Sequence, residues 1–382
     1  MSQKRHSTYL LTPGPLTTAH EVKEAMLADK SPNAPDMVEL VAGIRRYIVE
    51  LANGGDDYVC VPVQGSASYG IEAAFHTLVD KDNAHVLVVE NGFYGLRLRE
   101  LIEAIRIKAT RLELAIVPPV SGDDIEARLD ADPSITHVAL CHCDTGTGIL
   151  NPLADVAAVC ARRGVKLMVD AVATFGGFEI DARALQLEAV MISPNKCFEG
   201  VPGIAFVLCR RDSLMESKGR SPSCVLDLYE QWALMEEKGW FRYTSPTQVL
   251  MALGKAVERH KQEGGIAPRN ARYRNNWRRL VEGLRQRGYA TLMPDEHASP
   301  IIATFHDPDD PNYDFPTFYA AMERRGFIIF PGRLTSAHTF RIGTMGDLTE
   351  SDISLIINAV VDSMEEIGVT NPAPRADRLL AA

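Results

Sequence analysis

Between about residue 57 and residue 210, short apolar runs alternate with helical stretches, and no other feature narrows the possible folds as far. The runs at 84–89, 114–117, 137–140, 165–169, 189–192 and 204–209 are rich in Val, Ile and Leu and nearly continuous. Strands buried on both faces read this way, whereas half-exposed strands alternate apolar with polar residues. Helical patterns at 95–106, 123–129 and 153–163 lie between them. Strand–helix alternation of this kind predicts an α/β domain around a mostly parallel sheet. Ligands of such sheets bind at the carboxyl ends of the strands.

After residue 247 the pattern changes. Two long helical stretches, 248–262 and 271–286, precede a mixture of short strands and helices, which predicts a smaller α+β unit. The expected division is an amino-terminal arm over 1–20, a large domain over 21–265, a small domain over 266–368 and a flexible tail over 369–382. A net charge of −10 and a pI near 5.5 argue against nucleic acid and anionic membrane as partners. No apolar run approaches the roughly 20 residues of a membrane-spanning helix. The start, Met1-Ser2-Gln3-Lys4-Arg5-His6, leads into an apolar stretch too short for a signal peptide. Seven cysteines, an odd number in a long chain, fit a reducing cytoplasm better than a disulfide framework. No metal site is expected, since strand alternation accounts for the Cys141/Cys143 pair.

Asp170 closes the run Val165-Lys166-Leu167-Met168-Val169-Asp170, and Lys196 sits in Ser193-Pro194-Asn195-Lys196-Cys197. A carboxylate at the end of a buried strand, with a lysine just past the next one, suits pyridoxal phosphate chemistry. The carboxylate keeps the pyridine nitrogen protonated, and the lysine forms a Schiff base with the aldehyde and moves the proton.

Other segments are consistent with that chemistry. Gln64-Gly65-Ser66-Ala67-Ser68-Tyr69-Gly70 follows a strand and opens a helix, so its N–H groups and hydroxyls can cradle a phosphate; alone it reads more simply as a helix cap. Tyr94, in Asn91-Gly92-Phe93-Tyr94-Gly95, can stack on a planar ring or merely staple its loop to the core. Thr145 or Asp144 can steer the ring, and the neighbouring His142 reads more simply as a satisfied core histidine. Arg341, in Phe340-Arg341-Ile342-Gly343, is a lone charge among apolar residues, fit either for a bidentate grip on an anion or for an internal ion pair.

These segments, with Leu10-Leu11-Thr12-Pro13-Gly14-Pro15-Leu16-Thr17, Gly200-Val201-Pro202-Gly203, Arg242-Tyr243-Thr244-Ser245-Pro246-Thr247 and Phe330-Pro331-Gly332-Arg333-Leu334-Thr335, resemble the class V aminotransferases over about residues 9–365. The resemblance implies the type I fold of pyridoxal-phosphate-dependent transferases, a homodimer, and pyridoxal 5'-phosphate as cofactor. It implies Lys196 and Asp170 as catalytic residues, with Ser66, Ala67, Ser68, Tyr94 and Thr145 around the cofactor. It further implies that Thr244 reaches the phosphate from the neighbouring subunit, and that Arg341 and Thr17 bind substrate. Within the family the similarity is greatest to members that exchange an amino group between 2-aminoethylphosphonate and pyruvate. The sequence departs from that pattern at Ser31-Pro32-Asn33-Ala34-Pro35-Asp36-Met37, which keeps other small amine donors open, such as a substituted aminophosphonate, alanine or serine. A lyase would need a reactive cysteine beside the ring, for which Cys197 is the candidate.

Overall fold

The computed structural model describes residues 4–330 and 338–375. From the amino terminus come β1 (Tyr9–Leu11), α1 (His20–Glu24), α2 (Pro35–Leu51), β2 (Tyr58–Gln64), α3 (Ala67–Leu78), β3 (His85–Glu90), α4 (Phe93–Ala104) and β4 (Lys108–Glu113). Next are α5 (Gly122–Ala131), β5 (His137–Cys141), a hairpin of β6 (Cys143–Asp144) and β7 (Ile149–Leu150), α6 (Leu153–Arg163), β8 (Lys166–Asp170) and β9 (Ala189–Ile192). The sheet closes with β10 (Ile204–Arg210), followed by α7 (Arg211–Glu216), α8 (Leu228–Lys238), α9 (Thr247–Glu263) and α10 (Ile266–Arg285). The rest is β11 (Ile302–His306), α11 (Phe315–Arg324), β12 (Phe327–Ile329), β13 (Thr339–Gly343) and α12 (Glu350–Glu366).

Seven strands form one sheet in the order β2-β10-β9-β8-β5-β3-β4. β3, β4, β5, β8 and β9 are mutually parallel, and β10 runs antiparallel to both of its neighbours. Both faces are covered, which is why the strands read as continuous apolar runs. On β10, Ile204, Phe206 and Leu208 pack into one layer while Val207 and Cys209 pack into the other. Phe206 is fully buried, so truncation to Ala should remove about 3–5 kcal/mol of stability.

One expected strand is displaced. The run at 114–117 lies outside any strand, and the strand there is β4, with an exposure pattern in which only Leu112 is buried. β4 is an edge strand that pairs with β3 alone. Lys108, Arg111 and Glu113 keep that edge polar, as a free edge requires, so apolar content marks the neighbouring segment instead.

The carboxyl-terminal unit packs α10, α11 and α12 around β11 and β13, with Phe305, Phe318 and Phe340 in its core. β1 joins the same core by pairing in parallel with β12, which brings the arm across from the sheet. Asp352 at the start of α12 accepts from the Tyr9 hydroxyl at 2.6 Å and from Arg5 at 2.9 Å, and so secures the arm. In the segment after 368, Asp310 accepts from the N–H of Thr370 and Asn371, at 2.8 and 3.0 Å. Among the described residues no helix is long and apolar enough to cross a membrane.

Candidate active site

β8 delivers Asp170 at its carboxyl end, and β9, paired beside it with Met191 opposite Asp170, ends just before the turn that carries Lys196. β2 ends before Ser66, and β3 ends before Tyr94. One edge of the sheet therefore gathers groups far apart in sequence. Lys196, Asp170, Ser66, Ala67, Ser68 and Tyr94 line a single cavity of about 290 Å³.

Lys196 is 9% exposed and Asp170 6%. Burial lowers the Lys196 amine to about 8, opposed by the attraction of Asp170. Burial raises Asp170 to about 6, opposed by the N–H of Val172, which donates to Oδ1 at 3.0 Å, and by Lys196. The Lys196 Nζ donates to the carbonyls of Pro13 and Gly14, so the arm lies over the amine. Gly14 holds φ +111, and a Cβ there would run into the lysine stem. Only glycine allows this approach.

Ser66 is the N-cap residue of α3, and its hydroxyl makes no capping bond. The helix start consequently presents hydroxyl and backbone N–H groups to the cavity, an arrangement that suits an anion. The Ser68 hydroxyl accepts from Arg97, which also lines the cavity. The sequence reading missed Arg97, although its spacing of three from Tyr94 on α4 puts both on one helix face. Pro15, Asn195 and Pro202, given no role from sequence, also belong to the wall.

Asp144 turns out to be an anchor. Its carboxylate accepts from the N–H of Tyr94 at 2.6 Å, Gly146 at 2.8 Å and Thr147 at 3.3 Å. It thereby ties the start of α4 to the β6–β7 hairpin and fixes where Tyr94 stands. Burial pushes the Asp144 carboxyl up in spite of these bonds. Thr145 follows in the same turn, and its carbonyl accepts from Arg341 at 2.7 Å. Arg341, at 6% exposure on β13, also lies 4.3 Å from the Phe330 ring centroid. Of the motif that begins at Phe330, Pro331 to Thr335 lie outside the described residues.

Neither Thr145 nor Arg341 lines the cavity itself, and the remaining candidates fall elsewhere too. Thr17 is buried away from the cavity, its hydroxyl accepting from the Leu10 N–H at 2.8 Å and donating to the Leu10 carbonyl at 3.2 Å. Thr244 is exposed and does not line the cavity of its own chain. Residues 31–34 lead into α2 and 35–37 are its first residues, and none of them lines the cavity either. His142 bonds Thr174 through Nδ1 at 2.9 Å, and burial pushes it down to about 4. It faces a larger groove of about 1130 Å³ beside Tyr47 and Glu179, which contains neither Lys196 nor Asp170. Size alone would favour that groove, but the perturbed amine–carboxylate pair makes the smaller cavity the candidate site.

Comparison with known proteins agrees with this choice of chemistry. The family described as aminotransferase class-V matches residues 30–318 of the chain.

The chain belongs to the class V aminotransferases.

This aminotransferase is 42% identical over 367 residues to 2-aminoethylphosphonate–pyruvate transaminase 2 of Burkholderia lata, covering 96% of this chain and 97% of the relative. It is 43% identical to 2-aminoethylphosphonate–pyruvate transaminase 1 of Paraburkholderia xenovorans, with 99% and 97% covered. Among solved structures, ureidoglycine–glyoxylate aminotransferase of Bacillus subtilis superposes with a TM-score of 0.87 at 21% identity, over 100% of this chain and 98% of that one. Pyridoxamine–pyruvate aminotransferase of Mesorhizobium loti gives 0.85 at 23% identity, over 97% and 96%. At those identities the structures speak to the fold. In this aminotransferase Cys197 is fully buried, its thiol is pushed up by that burial, and Sγ donates to the Ala173 carbonyl at 3.1 Å. That environment suppresses the thiolate a cysteine-dependent lyase needs.

Proposed function

We propose that this enzyme transfers the amino group of 2-aminoethylphosphonate to pyruvate with pyridoxal 5'-phosphate, giving phosphonoacetaldehyde and L-alanine in phosphonate breakdown. The observation that carries the reading is the buried Lys196–Asp170 pair in one small cavity, in a chain alike over nearly its whole length to relatives named for that reaction.

The residues fit the cofactor. A cavity near the lower end of the usual range for small-molecule sites offers an amine, a carboxylate and a hydroxyl-bearing helix start. When bound, pyridoxal phosphate supplies an aldehyde for the amine and a ring that takes up electrons. Lys196 would hold it through Nζ, Asp170 would keep the proton on its ring nitrogen, Ser66, Ala67 and Ser68 would receive its phosphate, and Tyr94 would stack on the ring.

The chemistry of the chain then follows from where charges sit. An amine lowered to about 8 sheds and regains a proton near neutrality. With pyridoxal phosphate bound, Lys196 Nζ would take the proton from the donor carbon that bears nitrogen and deliver it to the cofactor carbon rather than back to the donor. Asp170 stays ionised at neutral pH because the cation it faces favours its charged form. Arg341, with a planar fork and a buried stem, grips the carboxylate of pyruvate or alanine and the phosphonate of the other substrate in turn. Thr17 serves the site indirectly by fixing the arm over Lys196.

The active unit in this reading is a homodimer, in which Thr244 of one subunit reaches the phosphate held by the other. Exposed Tyr69, Val225 and Tyr243 line one groove of about 210 Å³ next to Thr244, an apolar face that a second copy would cover. Cytoplasmic residence belongs to the same proposal and is supported by seven free cysteines, of which only Cys224 is exposed. Product analysis tests the whole: alanine and phosphonoacetaldehyde should form in equal amounts from 2-aminoethylphosphonate and pyruvate. Alanine formed only with a different amine would overturn the donor.

A further inference from the structure

Beneath the turn that carries Lys196 sits a second charged cluster that the proposed reaction does not use. Glu199 is 3% exposed and holds φ +60 without being glycine. Such backbone persists only where the surroundings over-determine it. The Glu199 N–H donates to the Lys196 carbonyl at 2.8 Å. Its Oε1 accepts from the Tyr273 hydroxyl at 2.7 Å and from Arg272 at 2.8 Å. Arg269 lies 3.7 Å from the same oxygen and donates to the Cys197 carbonyl at 2.6 Å.

All three partners come from the first half of α10. Arg272 also donates to the Gly346 carbonyl at 2.6 Å, on the stretch that follows β13 and Arg341. One helix thus touches both the lysine turn and the segment beyond the arginine. Burying charges brings a large desolvation penalty, so added stability is a weak account of this cluster and fixed geometry a better one.

We infer that Glu199 is a positioning residue for Lys196, held by Tyr273, Arg269 and Arg272 so that the Lys196–Glu199 turn aims the amine into the cavity. The inference rests on the role given to Lys196 under the proposed function. The charged and titratable groups that act most strongly on Lys196 are Asp170, Cys197, Cys143 and Arg97. Glu199 meets Lys196 through the backbone, its N–H on the Lys196 carbonyl, so the turn is its route to the amine.

The test uses Tyr273→Phe and Glu199→Gln in the full chain, with Arg279→Ala as control, since Arg279 pairs with Glu350 on the exposed side of the same helix. Competitive acylation of the cofactor-free protein, followed against pH with exposed Lys81 as internal reference, reads the Lys196 amine. Steady-state turnover of the cofactor-loaded protein reads the reaction. In both test variants the Lys196 midpoint should move up by about one pH unit as water reaches the amine. Turnover should fall about 10²-fold from the misplaced nucleophile, and the control should change neither. A wild-type Lys196 profile in a folded Tyr273→Phe protein overturns the inference even if its Tm falls, and that variant alone decides if Glu199→Gln does not fold. A wild-type protein without turnover would sink the functional reading, while the acylation profile would still decide whether Glu199 sets Lys196.

Discussion

Asp170 and Lys196 enter one cavity from neighbouring parallel strands, and burial draws their ionisations together, Asp170 up to about 6 and Lys196 down to about 8. In water the two groups titrate more than six pH units apart. In the cavity both are charged only across a narrow band around neutrality. That band is where an amine that accepts and returns a proton works best.

Replacing Lys196 by Ala should leave a folded protein that has lost turnover by at least about 10⁴-fold, the upper end of what a positioned proton-transfer group contributes. Steady-state formation of alanine from 2-aminoethylphosphonate and pyruvate checks this. A variant with undiminished rate would remove Lys196 from the mechanism.

The lysine also leaves a mark on the cofactor-free chain. Its folded value, about 8, lies below the ordinary 10.5. A depressed group contributes stability that is present above the unfolded value and lost as pH falls through the folded one. The cofactor-free protein should therefore gain on the order of 2 kcal/mol between pH 8 and pH 10.5 from this group. Denaturant unfolding of wild type against Lys196→Met isolates the term, since the Met variant should lack that gain. Parallel curves for the two proteins would refute it.

Much of this site was legible from the sequence, and the reason is topological. Asp170 ends a strand of the one mostly parallel sheet, and Lys196, Ser66 and Tyr94 each follow one, so strand-end reasoning put them at the same ends. What failed were residues whose side chains turn out to be committed to backbone groups, which strand-end reasoning does not reveal. Thr17 shares a motif with Gly14, yet its hydroxyl is committed to Leu10. Asp144 reads as a ring contact until the N–H groups it accepts are seen. β4 escaped because an edge strand carries charge, and α2 because it precedes the first strand of the sheet and so lies outside the strand–helix alternation.

Arg341 should govern the acceptor. Arg341→Lys keeps the charge but loses the fork, and KM for pyruvate should rise about 10- to 100-fold, the span of a charge-assisted hydrogen bond. Because Arg341 also holds the Thr145 carbonyl, a smaller decrease in kcat should accompany it. An unchanged KM for both substrates would show that another group binds the anion.

Sharing of the site between subunits is testable by complementation. Thr244→Ala should weaken pyridoxal phosphate about tenfold if its hydroxyl bonds the phosphate. Coexpressed with inactive Lys196→Ala, it should regain wild-type affinity in one site per mixed dimer, where an intact Lys196 meets an intact Thr244. Mixed dimers no better than Thr244→Ala alone would place Thr244 outside the partner's site.

The central claim is tested most directly by one half-reaction. The cofactor-loaded protein is mixed with 2-aminoethylphosphonate, without any keto acid, and its visible absorbance is followed. The account predicts rapid loss of the visible band, one equivalent of phosphonoacetaldehyde per site, and recovery of the band on adding pyruvate. A band that survives 2-aminoethylphosphonate but bleaches with alanine would contradict the donor, and one that survives both amines would contradict the transamination itself.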